Sequence, residues 1–292
     1  MSFLTYLING LSLGSVYALI ALGYSMVYGI AKMLNFAHGD IIMVGAYIAF
    51  FAIGSYKLPA IVAILVSVIV CTLLGVVIEK LAYKPLRHAS SLSVLITAIG
   101  VSYFLENGAL LLWGSDTRIF PTFINGTVNL FGGKLKLPVV TLVTIAVCLL
   151  IVWLLSLFIN KTKTGRAMRA TSEDRGAAAL MGINVNQIIS ITFAIGSGLA
   201  AIAAVLLCST YPSVYPMLGA MPGIKAFTAA VLGGIGSIPG AFLGGLLLRI
   251  IENLAKAYIS TQLSDAIVFG VLIVILLIKP TGLLGKKISE KV

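Results

Sequence analysis

Charge is what this sequence most lacks. Asp, Glu, Lys and Arg together make up 10% of its 292 residues, where a soluble domain carries about 25% to solvate its surface. Water therefore cannot be the solvent for most of the chain. Histidine is nearly absent: His38 and His88 are the only two, which excludes a histidine-rich metal site. The three cysteines, Cys71, Cys148 and Cys208, fall inside apolar runs without C-x-x-C spacing, so no disulfide framework is implied. No G-x-x-x-x-G-K-[ST] run occurs, so any ATP-driven step must be powered by another chain. No G-x-S-x-G elbow occurs either. No catalytic set remains, and nothing calls for a metal or a cofactor. The first residues, MSFLTYLINGLSLG, have no basic region ahead of the apolar stretch and read as a first span rather than a cleaved leader.

What is present is apolar. Hydrophobic residues make up 60% of the chain, and a membrane-spanning helix needs about 20 of them in a row. Runs of that kind lie near 4–30, 36–52, 59–81, 92–113, 138–159, 187–208, 241–259 and 265–278. The region 216–236 is also apolar but is broken by Pro222 and several glycines. It reads either as a full span or as a re-entrant half-helix, whose broken backbone must be buried in protein or line a cavity. The expectation is an all-α, polytopic helical membrane protein with eight or nine transmembrane segments, forming a single domain over 1–292.

The net charge of +11 has a membrane explanation. Loops that hold Lys32, then Lys80, Lys84 and Arg87, then Lys161, Lys163, Arg166, Arg169 and Arg175, then the tail lysines 279, 286, 287 and 291, alternate with loops about half as basic. The more basic set belongs on the cytoplasmic side. The opposite set holds Lys57, Arg118, Lys134, Lys136, Lys256 and, on one reading, Lys225. Basic residues are not interleaved with aromatic stacking platforms, so nucleic acid is not an expected partner.

Thirty glycines include the small-xxx-small patterns Gly10–Gly14 and Gly236–Gly240–Gly244. Such seams let helix backbones approach in lipid; they serve either as fixed packing or as surfaces that slide. The run GGIGSIPG lacks the ending of a phosphate-binding loop.

The segment 160–186 is the most charged. Ser172, Glu173 and Asp174 precede Ala177, Ala178, Ala179 and Leu180, a run of helix formers, and Gly182 can end the helix. Acids near a helix start are favoured by its dipole. Within the spans, Glu106 beside Asn107, and Arg249, Glu252 and Lys256 at i, i+3 and i+7, must face protein or water. They either clamp the bundle or line a translocation path. In the patch 35–40, Asn35 can cap a helix and Asp40 suits its positive end; with His38 the patch can also form a cytoplasmic gate.

The run GAAALMG (176–182) resembles the E-A-A-x-x-x-G coupling loop of ABC-transporter permeases, with Gly176 in place of the glutamate and acids upstream at Glu173 and Asp174. The stretches NGLSLGSVYALIALGYSMVYGIAKMLNFAHGDIIMVGAY (9–47), GRAMRATSEDRGAAALMGIN (165–184) and GGIGSIPGAFLGGLLLRIIE (233–252) resemble LivH-type permeases of high-affinity branched-chain amino acid ABC importers. That resemblance implies a multi-pass protein of the bacterial inner membrane that is not itself an enzyme. It implies a second permease subunit, two ATP-binding cassette subunits and an extracytoplasmic substrate-binding protein as partners, with leucine, isoleucine and valine as substrates. It implies ATPase coupling through Glu173, Asp174, Ala177, Ala178 and Gly182. Asn35, His38, Glu106, Arg249 and Glu252 are then candidates for the path or its gate. Permeases for urea and short amides share much of the pattern, often with MAHG where this chain has Phe36-Ala37-His38-Gly39. An ion-coupled secondary transporter is the alternative of a different class, and it would need carboxylates such as Glu79, Glu106 and Glu252 as ion sites.

Overall fold

A computed structural model describes residues 2–87, 89–124, 126–130 and 135–285. His88, Lys134, Lys286, Lys287 and Lys291, and the side chain of Lys136, lie outside the described residues. The elements in chain order are α1 (Ser2–Ala31), α2 (His38–Gly54), α3 (Ala60–Ile78), α4 (Ser91–Trp113), β1 (Arg118–Ile119), β2 (Thr127–Leu130), β3 (Leu135–Pro138), α5 (Val139–Lys161), α6 (Lys163–Glu173), α7 (Arg175–Leu180), α8 (Val185–Thr210), β4 (Ser213–Val214), α9 (Ala220–Gly233), α10 (Ile238–Tyr258) and α11 (Ser264–Ile278). A π turn (Glu79–Tyr83) and a 3-10 turn (Lys84–Leu86) prolong α3.

Local chemistry sets these boundaries. Ser90, Thr162, Asp174, Asn184 and Ser237 cap α4, α6, α7, α8 and α10, each accepting a backbone N–H three residues on. Pro59 and Pro138 precede α3 and α5 in extended conformations that a helix interior would not allow. Among the described residues, six helices are long and apolar enough to cross a membrane: α1, α3 with its turns, α4, α5, α8 and α10. The shorter apolar helices are α2, α9 and α11. At 14 residues, α9 is about 21 Å long, short of the roughly 30 Å hydrocarbon core.

The chain is helical but not wholly so. β1 pairs antiparallel with β4, and β2 with β3. These short ribbons depart from the all-α expectation. They form because the stretch after α4 is too polar to continue a buried helix, and the β-branched Thr127 and Val128 suit a pleated strand.

α1 is the hub. It packs against α10, α8, α9 and α5, and every side chain from Val16 to Leu22 is buried. Its contact with α10 is a glycine seam. A Cβ on Gly245 would lie 2.5 Å from the Ala18 Cα, one on Gly14 would lie 3.0 Å from the Leu246 Cα, and one on Gly29 would lie 3.0 Å from the Gly236 Cα. Gly240 and Gly244 turn away from α1 and press on α9, at Gly233 and Ala229. The stripe 236–240–244 therefore serves two partners rather than one.

The bundle has two ends. At one, Arg175 of α7 donates to the Ile30 carbonyl, Gly29 meets Gly236, and Gly234 meets Gly285. At the other, Tyr6 meets Tyr258, and Arg118 lies over the rings of Phe50 and Phe51. These are the α7 end and the Tyr258 end.

Candidate functional site

The first polar cluster lies where α2 begins. After α1 the chain turns at Lys32, which adopts φ +50°, and folds back into the bundle. The His38 imidazole then packs edge-on to Tyr24 with ring centroids 4.6 Å apart. It fills the space that a side chain at Gly23 would need; a Cβ there would fall 2.5 Å from Nε2. α2 thus starts beside the interior of α1 rather than at its end. Its second residue, Gly39, abuts Gly219 and Gly223 at the start of α9, and a Cβ on Gly39 would lie 2.6 Å from the Gly219 carbonyl oxygen. The two helix starts meet backbone to backbone.

Asn35 does not cap α2. The N-cap is Ala37, with no side-chain cap bond, and the Asn35 Oδ1 instead accepts from the Tyr83 hydroxyl at 2.9 Å. The π turn is what presents Tyr83 to it. Asp40 sits in the first turn of α2, as its charge favours, and is buried. Ser102 and Glu106 of α4 lie near enough to act on its carboxylate. Glu106 is itself buried. Its neighbour Asn107 is exposed and satisfied within its own helix, donating to the Tyr103 carbonyl at 2.8 Å.

The second cluster is centred on Glu252, which is wholly buried. Arg249 Nη1 lies 2.5 Å from Oε2, while Lys225 Nζ and Lys256 Nζ lie 2.9 and 2.7 Å from Oε1. Lys225 also bonds Asp265 at the start of α11, at 2.6 Å. The Arg249 guanidinium stands 4.9 Å over the Tyr17 ring. Three cations and two carboxylates thus tie α1, α9, α10 and α11 together. Charges withdrawn from water persist only when paired in this way.

The third group lies at the α7 end. Two helices occupy 162–186 rather than one. α6 ends at Glu173, and Asp174 caps α7 by accepting from Ala177 N at 2.9 Å. Glu173 therefore stands at a helix end and only Asp174 at a helix start, because the backbone turns extended between them. Gly182 adopts φ +80°; its N–H and that of Ile183 reach the Ala179 and Ala178 carbonyls at 3.0 and 3.1 Å, which closes the helix in a Schellman turn. Ala178 faces inward and is buried, whereas Leu180 and Met181 are 91% and 82% exposed. Nearby, Glu79 bonds Arg87 and accepts from the Ser190 hydroxyl at 2.6 Å, and Arg87 also bonds Asn186. Burial, and then the positive charge of Arg175, lower the Lys32 pKa. Arg175 is lowered likewise by burial and by Arg87.

The structure brings Asn35, His38 and Glu106 to one side of the bundle, and Arg249 and Glu252 to another. The candidate path residues are therefore two clusters. Sequence reasoning missed Tyr83, the Glu79–Arg87 pair, and the entry of Lys225 and Asp265 into the Glu252 cluster. Lys225 was open to reading as a loop cation, yet it is buried within α9. A lone lysine in an apolar segment was the available signal, since it needs a buried partner.

Comparison with known proteins identifies the family. The family described as branched-chain amino acid transport system / permease component matches residues 6–276. The chain is 47% identical to the high-affinity branched-chain amino acid transport system permease protein BraD of Pseudomonas aeruginosa, covering 99% of this chain and 98% of that one. It is 44% identical to the permease protein LivH of Escherichia coli K12, with the same coverage. A more distant relative, at 30% identity over 80% of this chain and 71% of the other, is the autoinducer 2 import system permease protein LsrD of an Escherichia coli strain. No solved structure matches. A helical bundle whose sequence is matched by this profile over nearly its whole length, the chain belongs to the branched-chain amino acid transport permease family.

Proposed function

We propose that the chain is the permease subunit of an ATP-driven importer that moves leucine, isoleucine and valine across the bacterial inner membrane by alternating access. The observation that carries this reading is similarity over the full length to two high-affinity branched-chain amino acid permeases. Those relatives favour amino acids over urea or short amides. The chain has no nucleotide-binding loop of its own, so two ATPase subunits supply the power, and a binding protein outside the membrane delivers substrate.

In this reading the α7 end is cytoplasmic, in keeping with its lysines and arginines. Nine crossings fit the contacts: β4 pairs with β1 at the Tyr258 end, while Gly233, at the close of α9, packs on Gly240 near the α7 end. The leg 211–233 then crosses with its second part, Ala220–Gly233, helical.

α7 is the peg that seats in the motor. Its outward side chains Leu180 and Met181 are apolar and exposed, which marks a surface awaiting a partner. Ala177 and Gly182 leave room beside them, and Asp174 and Glu173 hold the approach. Ala178 seats α7 on its own chain. Movement of the peg reaches α1 through the Arg175–Ile30 bond, and reaches the start of α2 through Tyr83 and Asn35. His38 and Gly39 are then the cytoplasmic gate, with Glu106 behind it, and the Glu252 cluster is the clamp of the opposite end. A second permease subunit covers the outer face of α4. That face carries Ser93, Tyr103 and Asn107, and Gly100 and Gly108 have open space beside them, which suits close helix approach.

The test is a purified complex carrying Leu180→Asp with Met181→Asp. The ATPase subunits are expected to be lost from the complex, and substrate-stimulated ATP hydrolysis with them. Full stimulation in that variant would overturn the assignment of α7 as the docking element.

A further inference from the structure

At the α7 end, the π turn after α3 and the first turns of α8 enclose a groove of about 420 Å³, with Lys80, Lys84, Asn184, Asn186, Gln187 and Ser190 among its lining. Its polar groups point to a negatively charged ligand. Both lysines are exposed. Glu79 beside them is already held by Arg87 and Ser190, so among the described residues no carboxylate pairs with either lysine. Asn186 and Asn184 use their Oδ1 atoms to accept from Arg87 and from Gln187 N, which leaves the amide NH₂ groups as donors. The groove thus offers two ammonium groups and two amides.

The groove's surroundings separate a lipid from a small anion. Along α3, one and two turns before the lysines, Leu73 is 61% exposed and Val77 48%, and Leu81 beside Lys80 is 76% exposed. This apolar strip leads from the groove toward the middle of a helix apolar enough to span a membrane. A free phosphate would use the lysines and leave the strip idle. A phospholipid would use both, because basic pockets between spanning helices on the cytoplasmic side suit anionic headgroups.

We propose that this groove binds the phosphodiester headgroup of an anionic phospholipid, with the acyl chains lying along Leu73, Val77 and Leu81. The proposal rests on the reading above only in placing the α7 end at a leaflet surface.

The experiment is native mass spectrometry of the purified complex with added phosphatidylglycerol, against phosphatidylcholine. The wild type is expected to retain phosphatidylglycerol in preference. The double variant Lys80→Gln, Lys84→Gln is expected to bind it roughly thirtyfold more weakly, on the scale of two lysines near an anionic surface. Lys161→Gln, outside the groove, is expected to bind as the wild type does. Equal retention by the double variant would overturn the proposal, as would an equal loss in Lys161→Gln, which would mark a diffuse charge effect. Inorganic phosphate is expected not to displace the lipid; displacement would reassign the groove to a free anion. Side-specific thiol labelling of Lys84→Cys in oriented vesicles reports the orientation separately. A wrong orientation is thereby distinguished from a wrong ligand.

Discussion

α1 and α3 are both apolar enough to span a membrane, yet they occupy opposite environments. α1 is the less apolar of the two, with Ser12, Ser15, Tyr17, Tyr24 and Ser25 along it, and it is almost wholly buried. α3 is nearly all aliphatic and mostly exposed. In water the order would be reversed. In lipid, a hydrocarbon side chain gains nothing by leaving the solvent, so burial goes to helices whose small and polar residues need protein contact. α4 falls between the rules, modest in hydropathy and mostly exposed, as suits a helix whose outer face a second subunit would cover.

That contrast can be broken or sharpened by substitution in the purified complex, read as thermal stability. The largest effect is expected in the interior at Glu252→Ala, which strands Arg249, Lys225 and Lys256 without their shared carboxylate. Removing one partner of a buried pair costs about 3–5 kcal/mol. Next is Gly245→Leu, which drives a side chain into the backbone of α1 at Ala18; overpacking of this kind costs about 1–3 kcal/mol. Tyr83→Phe removes one buried hydrogen bond and should cost about 1 kcal/mol. It should also lower transport per ATP hydrolysed more than it lowers basal hydrolysis, since Asn35 loses its link to the π turn. The smallest is Leu73→Ala on the outer face of α3, expected within about 0.5 kcal/mol. A loss at Leu73 as large as that at Gly245 would mean that protein, not lipid, covers α3.

Much of the fold was legible from hydropathy alone. Each long apolar run became a helix, because a spanning backbone must satisfy its own hydrogen bonds. The Arg249–Glu252 pair was legible from its i, i+3 spacing. What escaped were contacts between segments far apart in the chain. Asn35 had the composition of a cap, but Tyr83, 48 residues away, takes its side chain. Gly182 ends the helix as its residue type suggested, but nothing in the run of alanines said that Ala178 is the one that faces inward. Lys225 reaches Glu252 across 27 residues and Asp265 across 40, distances that periodicity does not address.

The wide turn at Glu79–Tyr83 also works as a counting device. A helix advances about 100° per residue, and a π turn holds a residue beyond the α repeat. Deleting one residue there would let the coil tighten into an ordinary α turn, leaving Lys84 and Arg87 on nearly the same faces but removing the bulge that presents Tyr83 to Asn35. Hydropathy would hardly register the deletion. The contact made at the bulge would be lost while the helix ran on, so the chain's length at this point is as much a specification as its side chains.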